Sequence, residues 1–406
     1  MKAFVVGGAV RDELLGLPVR ERDWVVVGSS SEDMRRLGYR QVGKDFPVFL
    51  HPETGEEYAL ARTEKSTGPG YHGFSFDVSA DVTLEEDLAR RDLTINSIAR
   101  REDGELVDPY GGQNDIESRT LRHTSSAFTE DPLRVLRVAR FAARFAPLSF
   151  TIDADTKALM QEMTRNGDID ALRPERVWLE TDKALAEARP DVFFETLRDS
   201  DALTVVFPEI DALFGVPQPP RWHPEIDTGV HILMCLKVAA ALSDDTAVRF
   251  ATLTHDLGKA TTPVEVLPRH TGHERRSVEI LESFCERLPV PRRYKDLAIA
   301  VARDHGIVHR AAELKPGTVL KLIEGSDGIR RPERFRSLLL ACEADARGRK
   351  GLENRDYPQR RFLERALAAA SDIDVSQLAT QAEGAKLGEL IREHRLAAIA
   401  DVLREG

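Results

Sequence analysis

The spacing of hydrophobic residues changes once along the chain, near residue 128. Before that point, short apolar or alternating runs at 24–28, 47–51 and 56–61 predict β-strands, and Asp103-Gly104 predicts a hairpin turn. Beyond it, apolar residues recur at the period of an α-helix with hardly a break. The predicted helices span residues 131–145, 153–165, 174–188, 190–199, 228–243, 246–256, 273–288, 293–304, 330–347 and 358–370. The pattern therefore predicts an α+β region followed by a long all-helical region.

The N-terminal segment Phe4–Gly28 predicts a strand, a glycine turn, a short helix and a second strand. Gly7 and Gly8 follow the first strand directly, and the helix after them carries Arg11 and Asp12. Glycines let backbone N–H groups approach an anion closely, and a helix N-terminus adds positive potential. The segment is interpreted as a phosphate-binding turn; the alternative is an ordinary tight turn.

Carboxylates at the start of the second strand strengthen the first interpretation. Glu21 and Asp23 alternate along an extended chain, so both should project from one face. Paired carboxylates can hold Mg²⁺ ions that neutralise a triphosphate and activate a hydroxyl nucleophile. A third carboxylate is expected on a neighbouring strand, and Glu57, Glu56 and Asp77 remain candidates. Together with the glycines, these residues predict a Mg²⁺-nucleotide site rather than a solvated strand end.

Arginines are concentrated in two segments that suit anionic ligands. Residues 90–97, RRDLTINS, favour either a triphosphate and ribose or a simple charged helix end. In residues 130–144, Asp131 before Pro132 predicts a helix start. Four arginines then recur within an arc of roughly 120° without interleaved acids, namely Arg134, Arg137, Arg140 and Arg144. This face is expected to bind anions.

Asp131 and Arg134 allow a more specific hypothesis. Cytosine and adenine each present an amino donor beside a ring-nitrogen acceptor, which suits a carboxylate beside a guanidinium. Uracil and guanine present a carbonyl in place of the amine. Such a pair would accept C or A and reject U or G.

Histidines recur in the second half of the chain in a pattern typical of divalent-metal sites. His231, the adjacent His255-Asp256 and His305 lie on separate predicted helices or just beyond their ends. The segment HDLGK at 255–259 resembles the signature of the HD metal-dependent phosphohydrolases. Further ligands are left open, the candidates being His270, His273 and Asp345.

Composition adds a few limits on domain number, nucleic-acid binding and location. The chain has 406 residues, 42% hydrophobic and 31% charged, which is typical of a globular protein with two to four domains. A net charge of −11 argues against wholesale coating of nucleic acid but permits a local basic face. The three distant cysteines predict reduced thiols and a cytoplasmic location. No apolar run is long enough for a membrane span, so no membrane association is expected, and no obligate protein partner is evident.

Seven motifs occur in one order along most of the chain and carry a specific resemblance. They are GGAVRD (7–12), ERDW (21–24), RRDLTIN (90–96), DPYGG (108–112), EDPLRVLRVARFAAR (130–144), WHPEIDTGVH (222–231) and HDLGK (255–259). In these motifs the chain resembles the class II CCA-adding enzymes, the bacterial tRNA nucleotidyltransferases, in the form that carries an HD domain.

The resemblance implies a polymerase-β-like nucleotidyltransferase head followed by an all-α neck, an HD-type helical domain and a helical tail. The Pro-rich segment at 216–224 is interpreted as a linker. The predicted domains are the head at 1–125, a nucleotide-selecting neck and body at 126–220, the HD domain at 221–350, and a tail at 351–406 that contacts tRNA.

The implied activity is addition of C, C and A to the tRNA 3′ end from CTP and ATP without a nucleic-acid template. The tRNA would be held at its 3′ end and acceptor region. The HD domain implies phosphatase, 2′-nucleotidase and 2′,3′-cyclic phosphodiesterase activity, with a transition metal such as Ni²⁺. Both hydrolysis and addition would serve repair of tRNA ends.

Residue roles follow by the same resemblance. The triphosphate would be held by Gly8 and Arg11, and Mg²⁺ by Glu21 and Asp23. Nucleotide contacts would come from Arg91, Arg137 and Arg140, and the template for C and A from Asp131 and Arg134. The HD metal would be held by His231, His255, Asp256 and His305, of which His255 and Asp256 would also be catalytic.

One residue departs from the family pattern. The family's metal motif is usually Asp-x-Asp, whereas here Glu21 takes the first position. Glutamate keeps the charge but moves the carboxylate by one methylene, which matters at a positioned metal site. The alternatives kept open are a bacterial poly(A) polymerase, an HD signalling hydrolase with a nucleotide-sensing head, and a non-catalytic tRNA-binding protein.

Overall fold

The computed structural model describes residues 1–19, 21–42, 48–66, 74–77 and 79–405. Its internal contacts divide the chain into two compact units. The first comprises Met1–Thr181 and Val192–Val206, and the second comprises Asp182–Asp191 and Phe207–Gly406. The glycine-rich segment at 64–73 is predicted from the sequence to be a loop, and its residues 67–73 lie outside the described part of the chain.

The first unit is built on β-strands that alternate with short helices. Its strands are β1 Lys2–Val6, β2 Asp23–Val27, β3 Arg40–Gln41, β4 Val48–Leu50, β5 Glu57–Leu60, β6 Thr63–Ser66, β7 Phe74–Asp77, β8 Ala99–Arg100, β9 Leu106–Val107, β10 Thr120–Leu121 and β11 Thr151–Ile152. Seven of them form one sheet in the order β3-β4-β5-β2-β1-β8-β9. In that sheet β2 and β5 are parallel and the other neighbours are antiparallel.

The first four helices of the first unit are short, and the four that follow are longer. They are α1 Gly8–Leu14, α2 Ser31–Arg36, α3 Leu84–Ala89, α4 Gly112–Glu117, α5 Leu133–Phe145, α6 Ala154–Arg165, α7 Pro174–Ala186, α8 Pro190–Asp199 and α9 Ala202–Val206, with α7 and α8 contributing to both units. Phe4, Val6 and Val25 from the sheet join Leu88 of α3 in one buried cluster. Helix α5 is buried at all but two of its positions, so it is a core helix despite its arginines.

The second unit is entirely helical. Its further helices are α10 Pro208–Asp211, α11 Thr228–Leu242, α12 Thr246–Thr254, α13 His273–Arg287, α14 Arg292–Val308, α15 Pro316–Gly325, α16 Pro332–Arg347, α17 Pro358–Ser371, α18 Val375–Leu378 and α19 Gly384–Glu405. Helix α12 is central, because it packs against α11, α14 and α16 and is buried from Ala247 to Thr254. Its start is fixed by Asp245, whose carboxylate accepts from the Ala247 N–H.

The periodicity predicted these elements well. All ten predicted helices are confirmed, as are the strands at 24–28 and 56–61 and the hairpin turn, which joins β8 to β9. The strand predicted at 47–51 is confirmed as β4, with Pro47 outside the described residues. No helix within the described ranges combines the length and the apolar character that crossing a membrane requires.

The 216–224 segment is folded, and its interpretation as a linker between domains stays a prediction. Gln218 is 1% exposed, and Pro217 forms an isolated β-bridge with Asp227. The segment is therefore folded into the second unit, where its polar residues approach the histidines of that unit. The contact boundary falls near residue 206, and the four-domain division proposed from the sequence stays a prediction.

Candidate active sites

The glycine turn between β1 and α1 is present and lies against an arginine. Gly7 has a φ of 71°, a conformation that favours glycine, and Gly8 opens the helix. A Cβ on Gly7 would lie 2.9 Å from Nη1 of Arg91. The Arg91 guanidinium thus occupies the space that a side chain at position 7 would fill, and it adds positive charge at the turn.

The sheet places two carboxylates side by side next to this turn. Asp23 is in register with Val6 on β1 and with Glu57 on the parallel strand β5. Directly opposed residues project from the same face of a sheet, so Asp23 and Glu57 form the pair. Glu56 accepts instead from Trp24 Nε1 at 3.2 Å.

Glu21 lies outside the regular strand, because β2 begins at Asp23. It is exposed, yet it is close enough to act on its neighbour. Burial raises the pKa of Asp23, Arg91 opposes that shift and Glu21 adds to it. Glu57 is therefore the third carboxylate favoured by the sheet register, while the Asp77 side chain lies outside the described residues.

Arg11, predicted to hold a triphosphate, is an interior residue. It is 3% exposed, and its guanidinium donates to Asp12 Oδ1 at 2.9 Å and to Asn96 Oδ1. Its Cζ lies 5.2 Å and 5.1 Å from the ring centroids of Phe141 and Phe145. Arg11 therefore ties α1 to α5 beneath the glycine turn.

The α5 arginines have no acidic residues between them along the helix, but they have acidic partners on other elements. Each of three arginines pairs with a carboxylate from another element, which the spacing along α5 could not reveal. The pairs are Arg137 Nε with Asp92 at 2.8 Å, Arg140 Nε with Glu180 at 2.7 Å, and Arg144 Nη2 with Asp12 at 2.8 Å. Asp92 also accepts from Asn96 Nδ2 at 2.9 Å, so one buried network joins the 90–97 segment to α5.

Asp131 and Arg134 lie at the start of the same helix but each has other partners. The Asp131 carboxylate accepts from the Leu133 N–H at 3.1 Å and pairs with Arg176 at 2.8 Å. The predicted capping role of Asp131 is thus present, although the helix begins at Leu133. Arg134 donates to the carbonyl oxygens of Ala127 and Arg90.

The second site forms in the all-helical unit, where α12 ends. The last residues of the helix deliver His255 and Asp256 into the interior, each 1% exposed. The HDLGK turn then packs against α13 so closely that a Cβ on Gly258 would lie 2.2 Å from the His273 carbonyl oxygen. Glycine at 258 is therefore what allows α13, and with it His273, to approach Asp256.

Imidazoles and carboxylates converge around Asp256. Its oxygens lie 3.1 Å from His255 Nε2, 3.3 Å from His273 Nε2 and 3.7 Å from His305 Nε2. Lys259 Nζ is 2.6 Å from Oδ2 of the same carboxylate. Of the open candidates, His273 joins this group, whereas His270 bonds Thr262 and the Pro217 carbonyl oxygen instead.

Asp345 of α16 forms the second acidic centre. Its carboxylate lies 3.1 Å from His231 Nε2 and 2.6 Å from His309 Nε2, and it is 3.7 Å from His255. The candidate ligands His231, His255, Asp256 and His305 are thus brought together as predicted, and Asp345 belongs with them.

Three further residues of the cluster, His309, His223 and Glu225, were not predicted from the sequence. His309 directly follows α14, one helical turn after His305, because the helix continues to Val308 rather than ending near residue 304. His223 and Glu225 lie in the WHPEIDTGVH segment, where Glu225 is 3.0 Å from both His223 Nδ1 and His231 Nδ1. The i,i+4 spacing of His305 and His309 was the available signal.

The charges of this buried cluster are strongly coupled. Burial disfavours a charged His255, yet Asp256 and Asp345 outweigh it and raise its pKa to about 10. Burial together with the positive His255 lowers the pKa of His305 to about 3. The two buried carboxylates thus favour a positive charge between them.

The donor set fits a divalent metal ion. His255 Nε2 and Asp256 Oδ1 are buried and have no hydrogen-bond partner among the described residues. Buried polar atoms are rarely left without a partner, so these two indicate a missing ligand. Imidazole and carboxylate ligands of one group lie within 4.8 Å of each other, and this mixture suits first-row transition metals.

Three family models match separate parts of the chain. Residues 3–122 match the family described as the poly A polymerase head domain, and residues 228–404 match the HD domain. Residues 149–214 match the family described as a probable RNA and SrmB-binding site of polymerase A. The head and HD domains together imply use of divalent metal ions.

Solved structures share the fold at low sequence identity. A CCA-adding enzyme in its apo form II aligns with a TM-score of 0.67 at 20% identity, covering 100% of this chain and 91% of that chain. The CCA-adding enzyme of Bacillus stearothermophilus in complex with CTP aligns with a TM-score of 0.61 at 22% identity, covering 98% and 89%. The expected polymerase-β-like head followed by helical regions is therefore confirmed as the fold.

Curated relatives are far more similar in sequence. The multifunctional CCA protein of Nitrosococcus oceani is 57% identical over 400 residues, covering 98% of each chain. That of Thioalkalivibrio sulfidiphilus is 60% identical over 406 residues, covering 100% of this chain and 99% of the relative. On this evidence the chain belongs to the multifunctional CCA protein family.

Proposed function

We propose that this chain adds C, C and A to the 3′ end of tRNA, using CTP and ATP and no nucleic-acid template. The observation that carries the proposal is the register of Asp23 with Glu57, beside a glycine turn that contacts Arg91. Two carboxylates facing a phosphate-binding turn suit nucleotidyl transfer. The names of the full-length relatives direct that chemistry to the CCA end.

In the proposed head site, the carboxylates Glu21, Asp23 and Glu57 would hold Mg²⁺, whose preferred ligands are oxygens. When bound, the ion would neutralise the triphosphate and favour ionisation of the tRNA 3′-hydroxyl. Gly8 would donate its backbone N–H to a phosphate, and Arg91 would pair with phosphate oxygens.

The arginines that are paired with carboxylates contribute differently in this proposal. Arg11, Arg137 and Arg140 are held by carboxylates, namely those of Asp12, Asp92 and Glu180. These arginines would either contact the nucleotide directly or hold in place the backbone that does. Their carboxylate partners orient them before substrate arrives. Preorganised charges of this kind need no rearrangement during the reaction.

Base selection is proposed to reside at the N-terminus of α5. The Asp131 carboxylate would accept from the exocyclic amine of C or A, and Arg134 would donate to the adjacent ring nitrogen. In the structure Asp131 is held by Arg176 and Arg134 by two backbone carbonyls. The base would therefore compete with these contacts or share them.

A second, hydrolytic function is favoured by the His-Asp cluster. We propose that it hydrolyses phosphate esters at nucleotide and RNA ends: as a phosphatase and 2′-nucleotidase it releases phosphate, and as a 2′,3′-cyclic phosphodiesterase it opens the cyclic ester to a monoester. His231, His255, Asp256 and His305 would hold a transition metal such as Ni²⁺. When bound, the ion would act as a Lewis acid on the phosphate ester. Lys259 beside Asp256 would orient that carboxylate and add positive charge.

The remaining features of the proposal follow from the same assignments. The domains would be the head at 1–125, the neck and body at 126–220, the HD domain at 221–350, and the tail at 351–406 as a tRNA contact. The three cysteines are unpaired and buried, which is consistent with the proposed cytoplasmic location.

The test uses a tRNA that lacks its 3′ end, incubated with Mg²⁺, CTP and ATP. Termination after three additions is expected, whereas a long A tract would identify a poly(A) polymerase and binding without turnover a non-catalytic protein. Asp23→Ala should abolish addition and leave hydrolysis of a 2′,3′-cyclic nucleotide, and His255→Ala should do the reverse. Addition that survives Asp23→Ala would mean that the transfer site is misassigned.

A further inference from the structure

We propose that Trp222 is the base-stacking residue of a nucleotide pocket beside the His-Asp cluster, which lets that cluster recognise a nucleoside as well as its phosphate. The ligand class is a ribonucleotide with a 2′- or 2′,3′-cyclic phosphate, either free or at the end of an RNA. The inference rests on the hydrolytic function proposed above and adds the residue that recognises the base.

A cavity of about 490 Å³ opens next to the cluster. It lies within the range of roughly 300–1,000 Å³ that small-molecule pockets occupy. Its walls include Gln218, Trp222, Lys259, His273 and Arg349. His273 belongs to the Asp256 group, so the cavity and the candidate metal site share a wall.

The polar residues of the cavity wall are suited to phosphate. Lys259 Nζ lies 2.6 Å from Asp256 Oδ2 and 2.6 Å from Gln218 Oε1, so it links the cluster to the cavity wall. Gln218 is 1% exposed, and its Nε2 has no hydrogen-bond partner among the described residues. The Nε of Arg349 is also buried without a partner there. These donors require acceptors, and phosphate oxygens are strong ones.

The cavity wall also includes an indole that is exposed to solvent. Trp222 is 57% exposed, whereas Trp178 is 8% exposed and Trp24 is half-buried. Arg221 lies over the Trp222 ring, with Cζ 4.9 Å from its centroid, and Arg349 Nη1 donates to the Trp222 carbonyl oxygen at 3.3 Å. The ring is thus positioned by two arginines while much of its surface stays accessible.

The polar residues and the indole of the cavity wall match the two parts of a nucleotide, its phosphate and its base. Bases stack on aromatic side chains with little dependence on sequence, because every base has a π-face. A phosphate held at Lys259 and the metal ligands would leave the base free to reach the indole. Trp222 therefore lines the same cavity as the polar groups that suit a phosphate.

The test compares phosphate esters with and without a base on the metal-loaded full-length protein. Trp222→Ala should raise KM for adenosine 2′-monophosphate by about 5- to 100-fold, the range given by loss of one stacked base. The kcat should change little, and hydrolysis of glycerol 2-phosphate should be unaffected. Trp222→Phe should restore most of the lost affinity, and Val264→Ala, at an exposed apolar position outside the cavity, should change nothing.

A binding measurement makes the assignment independent of turnover. Adenosine 2′-monophosphate should quench the fluorescence of the wild type more strongly than that of Trp222→Phe. An oligoribonucleotide ending in a 2′,3′-cyclic phosphate is assayed beside the free nucleotide. The natural ligand, a free nucleotide or an RNA end, is the one whose hydrolysis Trp222→Ala impairs more strongly. Equal loss on the glycerol ester, or no loss on any substrate, would overturn the proposal. A wild type that hydrolyses none of the three would contradict the hydrolytic function itself, and the inference with it.

Discussion

Asp131 and Arg176 form a two-point ion pair, with Nη2 2.8 Å from Oδ2 and Nη1 3.3 Å from Oδ1. The carboxylate proposed to read the amino group of C or A is therefore oriented by an arginine on α7. Two parallel contacts fix a carboxylate in its plane better than a single contact does. Arg176 is thus expected to influence base selection without contacting the base.

Arg176→Ala should lower the preference for CTP over UTP. Loss of a charged hydrogen bond costs about 1.5–3 kcal/mol, so we expect the ratio of kcat/KM values to fall by about 10-fold or more. Arg176→Lys should keep part of the preference, because an ammonium makes one contact where the guanidinium makes two.

The measurement is single-nucleotide incorporation into a tRNA that lacks its 3′ end, with CTP and UTP assayed separately. Arg165→Ala, at an exposed position in the last turn of α6, is the matched control. Equal losses for both nucleotides in Arg176→Ala would show that the pair stabilises the fold rather than orienting Asp131.

Glu57→Gln should reduce CTP and ATP incorporation about as strongly as Asp23→Asn. The two carboxylates are in direct register on neighbouring strands, so removing either charge should leave Mg²⁺ poorly held. Loss of an outer-shell partner already costs roughly 10- to 100-fold at metal sites, and a direct ligand should cost at least that. The rate is measured as a function of Mg²⁺ concentration.

Glu56→Gln provides a neighbouring control, because Glu56 bonds Trp24 instead of facing Asp23. It should keep nearly the wild-type rate. Glu21→Gln should cost less than Glu57→Gln, since Glu21 precedes the strand and is exposed. A severe defect in Glu21→Gln with a mild one in Glu57→Gln would reverse the assignment of the second carboxylate.

The residues that the sequence did and did not predict differ in a physical way. Helices such as α12 and α14 follow from local periodicity, and adjacent residues such as His255 and Asp256 necessarily arrive together. The pairing of Asp23 with Glu57 depends on which strands become neighbours. The sequence alone left several candidates for the third carboxylate, and the strand register favours Glu57. Long-range pairing of this kind has no local signal.

The arginines of α5 also have long-range partners that local sequence patterns do not reveal. Their spacing correctly placed them on one helix, but Asp92, Glu180 and Asp12 reach them from other elements. A face that looks unpaired along its own helix is therefore neutralised by tertiary contacts. His309 was missed because α14 continues past the predicted end, and only the longer helix brings it to Asp345.

Tyr357→Phe should weaken metal binding at the His-Asp cluster. The Tyr357 hydroxyl lies 2.8 Å from His309 Nδ1, and His309 Nε2 lies 2.6 Å from Asp345 Oδ2. The hydroxyl contact fixes the orientation of the imidazole that holds the carboxylate. Removing a partner of this kind typically costs about 10- to 100-fold in metal affinity.

Affinity for Ni²⁺ or Co²⁺ is measured by titration calorimetry, and the Co²⁺ absorption spectrum reports any change in ligand geometry. Tyr294→Phe is the matched control, because Tyr294 is also buried but bonds Thr246 and Asp182 away from the cluster. CCA addition should be unchanged in both variants. Unaltered metal affinity and spectrum in Tyr357→Phe would show that His309 needs no such support.

The Asp92–Arg137 pair should make the first unit sensitive to acid. Burial of Asp92 opposes ionisation, but Arg137, Asn96 and Arg134 outweigh it and hold the pKa well below its ordinary 3.8. A depressed carboxylate pKa stabilises the fold above the unfolded pKa, and this stabilisation is lost as pH falls below about 4 toward the folded value. Asp92→Asn should therefore destabilise strongly at pH 7 and progressively less, relative to the wild type, as the solution is acidified.

Breaking a buried ion pair costs about 3–5 kcal/mol, and partial exposure of Arg137 should reduce this to about 2–3 kcal/mol at pH 7. The measurement is urea unfolding of the wild type and Asp92→Asn from pH 7 to pH 3. Asp199→Asn is the control, because Asp199 pairs with Lys157 at the surface and such pairs contribute about 0–1 kcal/mol. If the difference between the wild type and Asp92→Asn stayed constant across this range, ionisation of Asp92 would not be what stabilises the network, and its shape and hydrogen bonds would have to account for the loss.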